Sequence, residues 1–283
     1  MPGPALHPRG HARRILPGFH LSLGITVTAL SCIVLIPLAA LVAKSASTGV
    51  GTFVEIATSP RTLAALRLSF GAALLAAMVN AVFGLLIAWI LVRYDFPGRR
   101  LVDAIVDLPF AMPTAVAGIA LAAIYAPNGI VGAVLDPYGI RVAYTPLGVA
   151  VALVFIGLPF VVRSVQPVLE ELESELEEAA ALLGANRLRV IWTVLLPPLL
   201  PALITGFVLA FARGVGEYGS VIFIAGNVPL VSEIAPLLIV IRLEQFDYAG
   251  AAVVGVLMLV LSFVLILGLN LFHASFRRSI GNG

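Results

Sequence analysis

The chain has 283 residues, 60% of them hydrophobic and 11% charged, with a mean hydropathy of +1.08. Soluble domains sit near about 45–50% apolar and about 25% charged, so a water-soluble fold is excluded and the bilayer is the solvent. A net charge of +2 gives no basis for a nucleic-acid partner. The sole cysteine, Cys32, rules out an intrachain disulfide and any multi-cysteine metal site, and reads as a small buried hydrophobe.

Six apolar runs follow in order. The first covers residues 19–43, long enough to span the hydrocarbon and longer than the apolar core of a signal peptide, although "LVAKSAS" resembles a weak cleavage site. It reads as an uncleaved anchor after a short tail over 1–18, and residues 44–66 read as an outer loop. The second run covers 69–92 and ends in the basic turn "RYDFPGRR". The third covers 101–125 with Pro109 and Pro113 inside, and the fourth covers 147–165. After an acidic segment, the fifth covers 199–223 and the sixth 249–272, leaving a tail over 273–283. The run "IAPLLIVI" over 234–241 is too short to cross and reads as a re-entrant or interfacial helix. The expectation is an all-α polytopic membrane protein with six spans and no internal repeat.

Basic residues orient it. With the N-terminus inside, eleven arginines fall on the cytoplasmic side, among them Arg93, Arg99, Arg100, Arg163, Arg187 and Arg189. Only Lys44, Arg61, Arg67, Arg141 and Arg242 fall outside. The excess of positive charge places both termini and the acidic segment in the cytoplasm.

That segment, "ESELEEAAALLGANRLRVIWTVLLPPLLP", is unlike the rest of the chain. Leu169, Leu172, Leu176, Ala179, Ala180 and Leu183 recur at three- and four-residue steps, one apolar stripe on a helix, with glutamates at most other positions. Gly184 is placed to end the helix, since glycine takes a left-handed turn cheaply. Arg187 and Arg189 belong to a second short helix, and Pro197, Pro198 and Pro201 mark re-entry into the bilayer. Membrane-surface helices are usually basic, so an acidic one reads as a docking helix for a partner with basic groups.

Glu178-Ala179-Ala180, three residues, Gly184, nine residues, Val194, one residue, then Leu196-Pro197 resembles the signature loop of ABC-importer permeases, with valine where the family usually has isoleucine. The resemblance implies that residues 170–197 form a coupling loop, with Glu178, Ala179, Ala180, Gly184, Leu196 and Pro197 joining the permease to an ATPase subunit. It also implies a type I importer fold with a permease core over 67–272. The stretches "RYDFPGRRLVDAIVDLPFAMPTAVAGIAL", "LPFVVRSVQPVLEELE" and "SEIAPLLIVIRLEQFDYAGA" are similar to the T-type permease subunits of sulfate/thiosulfate importers, from about residue 21 to 272. Molybdate permeases share the coupling loop and the glycine-rich fifth span but are usually shorter. The implied partners are two ATPase copies, a second homologous permease forming a heterodimer and a periplasmic sulfate-binding protein, in the bacterial inner membrane. No cofactor is implied for this chain; ATP is consumed by the partner. The sequence agrees independently: a Walker A loop needs Gly-Lys-Ser/Thr, and the only lysine, Lys44, follows Ala43.

The fifth span carries "FARGVGEYGSVIF". Arg213 and Glu217 sit four apart on one helix face, so they can pair; either Arg213 lines a path for a dianion or the two form a structural pair that holds a gate or seam. Gly214, Gly216 and Gly219 would let neighbouring helices close in. Arg163 is expected to end span four and reach the cytoplasmic face, and Asp103 and Asp107 to sit as interfacial charges near Arg99 and Arg100. His7, His11, His20 and His273 lie at or beyond the ends of the outer spans and suggest no metal or nucleophile site. The competing class, a secondary transporter with Arg213 and Glu217 in a proton relay, would show inverted repeats; none is visible.

Overall fold

The computed structural model describes residues 19–281, with the side chains of residues 20, 174, 176, 181, 270 and 272–281 left undescribed. The tail expected over 1–18, with His7 and His11, lies outside the described residues, as do the side chains of His20, Leu176 and His273.

The first span is built from α1 (Phe19–Leu30), a π-helical turn (Ser31–Leu35) and α2 (Ile36–Ala46). The wide turn directly precedes Pro37, whose missing N–H and ring cannot continue a regular ladder. The apolar window of this span has no buried residue within the chain. Cys32 is therefore exposed, not the small buried hydrophobe its neighbours suggested. The expected outer loop is largely helical: α3 (Val50–Thr58) is followed by α4 (Pro60–Arg93), which starts nine residues before the expected span. Ser59 caps α4 by accepting from the Thr62 N–H, and Pro60 occupies the first turn, where no donor is needed.

The expected third span is broken. Instead of one helix over 101–125 there are α5 (Arg99–Val106), α6 (Leu108–Ala111) and α7 (Thr114–Tyr125). Pro109 lies in the first turn of α6 and Pro113 caps α7 with extended ψ, so each proline starts a new piece. A short α8 (Gly132–Leu135) lies in the following loop, and α9 (Pro146–Glu171) runs six residues past the expected end of the fourth span.

After α9 come α10 (Ser174–Leu182), α11 (Arg187–Val190), a second π turn (Ile191–Leu195) and α12 (Leu196–Val215). This π turn also sits just before prolines, here Pro197 and Pro198, and is closed by the Leu196 N–H on the Ile191 carbonyl. The expected fifth span over 199–223 is thus shifted: the helical run covers Arg187–Val215 and the chain then turns. Next are α13 (Val221–Ile224), α14 (Ala235–Glu244), which is the short apolar helix expected near 234–241, and α15 (Tyr248–Gly281). Among the described residues five helices are long and apolar enough to cross a membrane, and α7 in the expected third span is a shorter apolar helix.

The core lies where α9 is clasped by α4 and α12. Val149, Val161, Val162, Val165, Leu169 and Leu199 are wholly buried there. A Cβ added at Gly84 of α4 would fall 2.8 Å from Val161 Cβ, and one at Gly206 of α12 would fall 2.8 Å from Val161 Cα, so both helices press their backbones on one valine. Asn80 of α4 is fully buried in this seam against Gly157, with no hydrogen-bond partner for its amide among the described residues.

Candidate functional site

Two groups of sequence-selected residues occupy different ends of α12. The first is the segment between α9 and α12. The apolar stripe expected to run unbroken from Leu169 to Leu183 is cut at Leu172, whose ψ of 115° ends α9. Leu169 is buried in the bundle, while Leu183 is on the outer edge. The break is held by Arg93 at the end of α4. Its Nη2 donates to the Leu172 carbonyl at 2.9 Å and lies 3.0 Å from Glu177 Oε1. Glu175 and Glu177 in the first turn of α10 complement the positive end of the helix dipole.

Gly184 ends α10 at φ +83°. The Ala185 N–H reaches the Ala180 carbonyl at 3.0 Å, the six-to-one bond of a left-handed helix stop. Asn186 Oδ1 then accepts from the Arg189 N–H at 2.8 Å and starts α11. The result is a tight tip. Leu182 and Leu183 are each 89% exposed, and Leu188 and Trp192 are exposed beside them. Glu178 and Ala179 are exposed and Ala180 is half-buried on the same tip. Leu196 and Pro197 are half-buried at the start of α12, so the signature residues divide between the tip and the root of the following helix. A groove of about 580 Å³ lies between the tip and α4, lined by Leu86 and Trp89 of α4, by Ile191 and by the charged Glu178 and Arg187. The pairing of Arg93 with Glu177 was not foreseen from the sequence, since no local spacing relates residues on separate elements.

The second group lies past the other end of α12. The helix stops at Val215, so Arg213 and Glu217 are not on one continuous helix. They still pair, with Arg213 Nη1 2.5 Å from Glu217 Oε2. The Glu217 side chain is 2% exposed and that of Arg213 37%. The other Glu217 oxygen accepts from the Ser220 N–H at 2.9 Å and from Ser220 Oγ at 3.0 Å. A buried carboxylate with two donors and a cation can hold a sharp turn inside an apolar bundle. The glycines divide. A Cβ at Gly214 would meet Ala73 Cβ at 3.3 Å, and one at Gly219 would strike Thr114 of α7, whereas one at Gly216 would meet nothing within 4 Å, so no described neighbour closes in there. Gly118 of α7, which drew no notice in the sequence, packs directly on the Ser220 backbone.

The remaining charges are paired differently from expectation. Arg163 sits eight residues before the end of α9 and does not reach out to the surface alone. It forks onto Asp107 (Nε to Oδ1 2.8 Å, Nη2 to Oδ2 2.6 Å) and reaches Asp103 Oδ1 at 2.6 Å, the Asp103 carbonyl at 3.0 Å and Gln166 Oε1 at 2.5 Å. Asp103 and Asp107 therefore belong to Arg163, not to Arg99, whose partner is Asp95 at 2.8 Å. At the opposite end, Arg61 grips the buried Glu233 through two bonds of 2.8 and 2.6 Å, and Ser69 Oγ accepts from the Ala235 N–H at 2.8 Å. These tie the loop before α14 to the start of α4. Among the described residues no group of three or more His, Cys, Asp or Glu side chains is placed to hold a metal ion.

Residues 80–280 match the family described as binding-protein-dependent transport system inner membrane component. The chain is 48% identical over 272 residues to the sulfate transport system permease protein of Escherichia coli, covering 96% of this chain and 98% of that one. It is 53% identical over 247 residues to a probable sulfate transport system permease protein of Nephroselmis olivacea, covering 87% of each. In fold it is similar to a chain of a bacterial ABC transporter involved in the import of the acidic polysaccharide alginate, with a TM-score of 0.75, 17% identity, and coverage of 90% of this chain and 94% of that one. The sequence match over most of the length, joined to a bundle of apolar helices with a protruding acidic tip, leads to one conclusion: the chain belongs to the family of binding-protein-dependent transport system inner membrane components.

Proposed function

We propose that this chain is the membrane-spanning permease subunit of an ATP-driven importer of sulfate or thiosulfate, a transport subunit and not an enzyme. The proposed organisation is a first span over 19–43, an outer segment over 44–66, a permease core over 67–272 with a cytoplasmic coupling loop at 170–197, and cytoplasmic tails over 1–18 and 273–283. The substrate reading is supported by the near full-length similarity to proteins named for sulfate transport. One geometric observation carries the mechanism: Leu182 and Leu183, 89% exposed, stand on a tip fixed by Arg93 and Gly184. Apolar side chains presented on a short rigid helix, ringed by Glu178 and other acids, fit a cleft with basic rims on a separate ATPase.

In this reading Glu178, Ala179, Ala180 and Gly184 seat the tip, and Leu196 and Pro197 carry its movement into α12. Two ATPase copies, a second and distinct permease and a periplasmic binding protein complete the assembly. Arg213, Glu217, Gly214, Gly216 and Gly219 mark the gate region. The pairing of Arg213 with Glu217 favours a structural role there over direct attraction of the dianion, because the guanidinium charge is already met. Selection of the anion then falls mainly to the delivering protein, since a conduit that binds tightly cannot release.

The test is uptake of labelled sulfate by cells that lack their own importer and carry this chain with its ATPase, second permease and binding protein. ATP-dependent uptake, reduced by thiosulfate and indifferent to molybdate, is expected. Stronger competition by molybdate or tungstate would overturn the substrate assignment. Uptake that persists with an inactive ATPase and collapses with the ion gradient would overturn the mechanism.

A further inference from the structure

We infer that Arg163 is a positioning residue, the joint through which movement of the tip at 174–190 reaches the broken third crossing and the charged turn beyond α12. This rests on the importer reading above.

Arg163 lies on α9, the helix that leads into the tip, about 12 Å above its end at 1.5 Å per residue. A guanidinium has five N–H donors, and five contacts meet them here: two to the Asp107 carboxylate, one each to the Asp103 carboxylate and carbonyl, and one to Gln166. The planar fork fixes orientation as well as distance. The joint matters because α5 has little else to hold it. Of its residues only Val106 is buried, and its Gly98 cap offers no side-chain hydrogen bond. The next piece, α6, has no buried residue and touches α9 through Phe110, edge-on to Phe160 at 5.1 Å between centroids. A helix with so small an apolar footing moves with whatever grips it. Here the grip is on the helix that carries the tip.

The far end of the broken crossing meets the charged turn. Thr114 and Gly118 of α7 abut Gly219 and Ser220, and Ser220 is bound to Glu217, which pairs with Arg213. The contacts run without a gap from the tip through α9, Arg163, α5, α6 and α7 to that turn. The physical content of this path is that Arg163 makes α5 and α9 one body. Two carboxylates share one guanidinium, so the joint keeps one uncompensated negative charge, on side chains that are 41% and 47% exposed.

The experiment uses the assembled complex in proteoliposomes. Three variants are compared with wild type: Arg163→Gln, the double Asp103→Asn with Asp107→Asn, and all three changes together. The readout is sulfate transported per ATP hydrolysed. A drop of about fivefold or more, the lower end of usual inter-site coupling, is expected in the first two, with no further loss in the triple. Arg163→Lys, which keeps charge but loses the fork, should fall between. Should Arg163→Gln fail to assemble, Asp103→Asn alone leaves the Asp107 fork intact and should give a smaller loss in the same ratio. In parallel, spin labels at Leu101 and Leu183, in a Cys32→Ser background, should keep one separation across nucleotide states in wild type and a broadened one in Arg163→Gln. An unchanged ratio in the variants, or a wild-type separation that shifts with nucleotide, would overturn the joint. Absence of sulfate uptake by the wild-type complex would instead overturn the substrate reading, and the spin-label distances would still decide the joint.

Discussion

Adding one methyl group at each of three glycines separates packing from mere composition. At Gly118 a Cβ would lie 2.8 Å from both Cα and carbonyl carbon of Ser220, and closer still to the carbonyl oxygen. Carbon contacts settle at about 3.5–4.0 Å, so α7 and the turn must part by about 1 Å. Overpacking of that kind costs about 1–3 kcal/mol. Ser220 also donates twice to Glu217, at 2.9 and 3.0 Å, and a shift of that size would break these bonds. Hydrogen bonds to a charged group add about 1.5–3 kcal/mol, against about 1 kcal/mol gained from alanine over glycine in a helix. Gly118→Ala should therefore lose about 1.5–5 kcal/mol in all. At Gly219 the atoms met belong to the Thr114 side chain, with its Cβ at 3.2 Å, so the cost should be smaller, about 1–2 kcal/mol. At Gly216 nothing lies within 4 Å and φ is −90°, so alanine should be neutral or stabilising by about 0.5 kcal/mol. The assay is recovery of monodisperse protein after heating in detergent, read by size exclusion, with anion uptake alongside. A Gly216→Ala variant as damaged as Gly118→Ala would refute the close-approach reasoning, as would a neutral Gly118→Ala.

Other consequences can be checked with the same assays. Arg213→Ala strands a buried carboxylate and should cost about 2–4 kcal/mol, less than a fully buried pair because the guanidinium is partly solvated. Glu217→Gln keeps an acceptor for Ser220 and should cost about 1–2 kcal/mol; the reverse order in heating midpoints would contradict the pairing. Asn80→Ala, which fits the tight space against Gly157, removes a buried amide that has no partner among the described residues and should cost less than the about 2–5 kcal/mol of an apolar core truncation; a loss at or above that range would mean that the amide is bonded. Gly184→Pro breaks the left-handed stop and Glu178→Lys reverses charge on the tip, so both should abolish uptake while the protein still inserts in the membrane. Normal uptake in both would count against a docking role for the tip.

The spans were legible because apolar length is a property of single segments. The break in the third crossing was also foreshadowed by Pro109 and Pro113, since a missing N–H acts locally. The end of the fifth span was misplaced for a physical reason. Residues 216–223 end in the apolar run Val221-Ile222-Phe223, which extended the expected span across Glu217 and Ser220, and composition cannot separate a helix from a buried turn whose donors are satisfied by a carboxylate. The Gly184 stop was readable because glycine's freedom is its own property. The grip of Arg163 on Asp103 and Asp107 spans 60 and 56 residues, and no periodicity encodes such distances. Cys32 was misjudged because an apolar neighbourhood in the chain says nothing about whether a helix faces its own bundle or the lipid.

The account stands on the exposed tip meeting a separate motor. A photoactivatable cross-linker on a cysteine at position 183, in a Cys32→Ser background, tests this in the native membrane with and without nucleotide. Capture of an ATPase subunit, with a yield that changes with nucleotide, is the expected result. Failure to capture an ATPase in every nucleotide state, or labelling of that cysteine by an impermeant reagent from outside the cell, would contradict it.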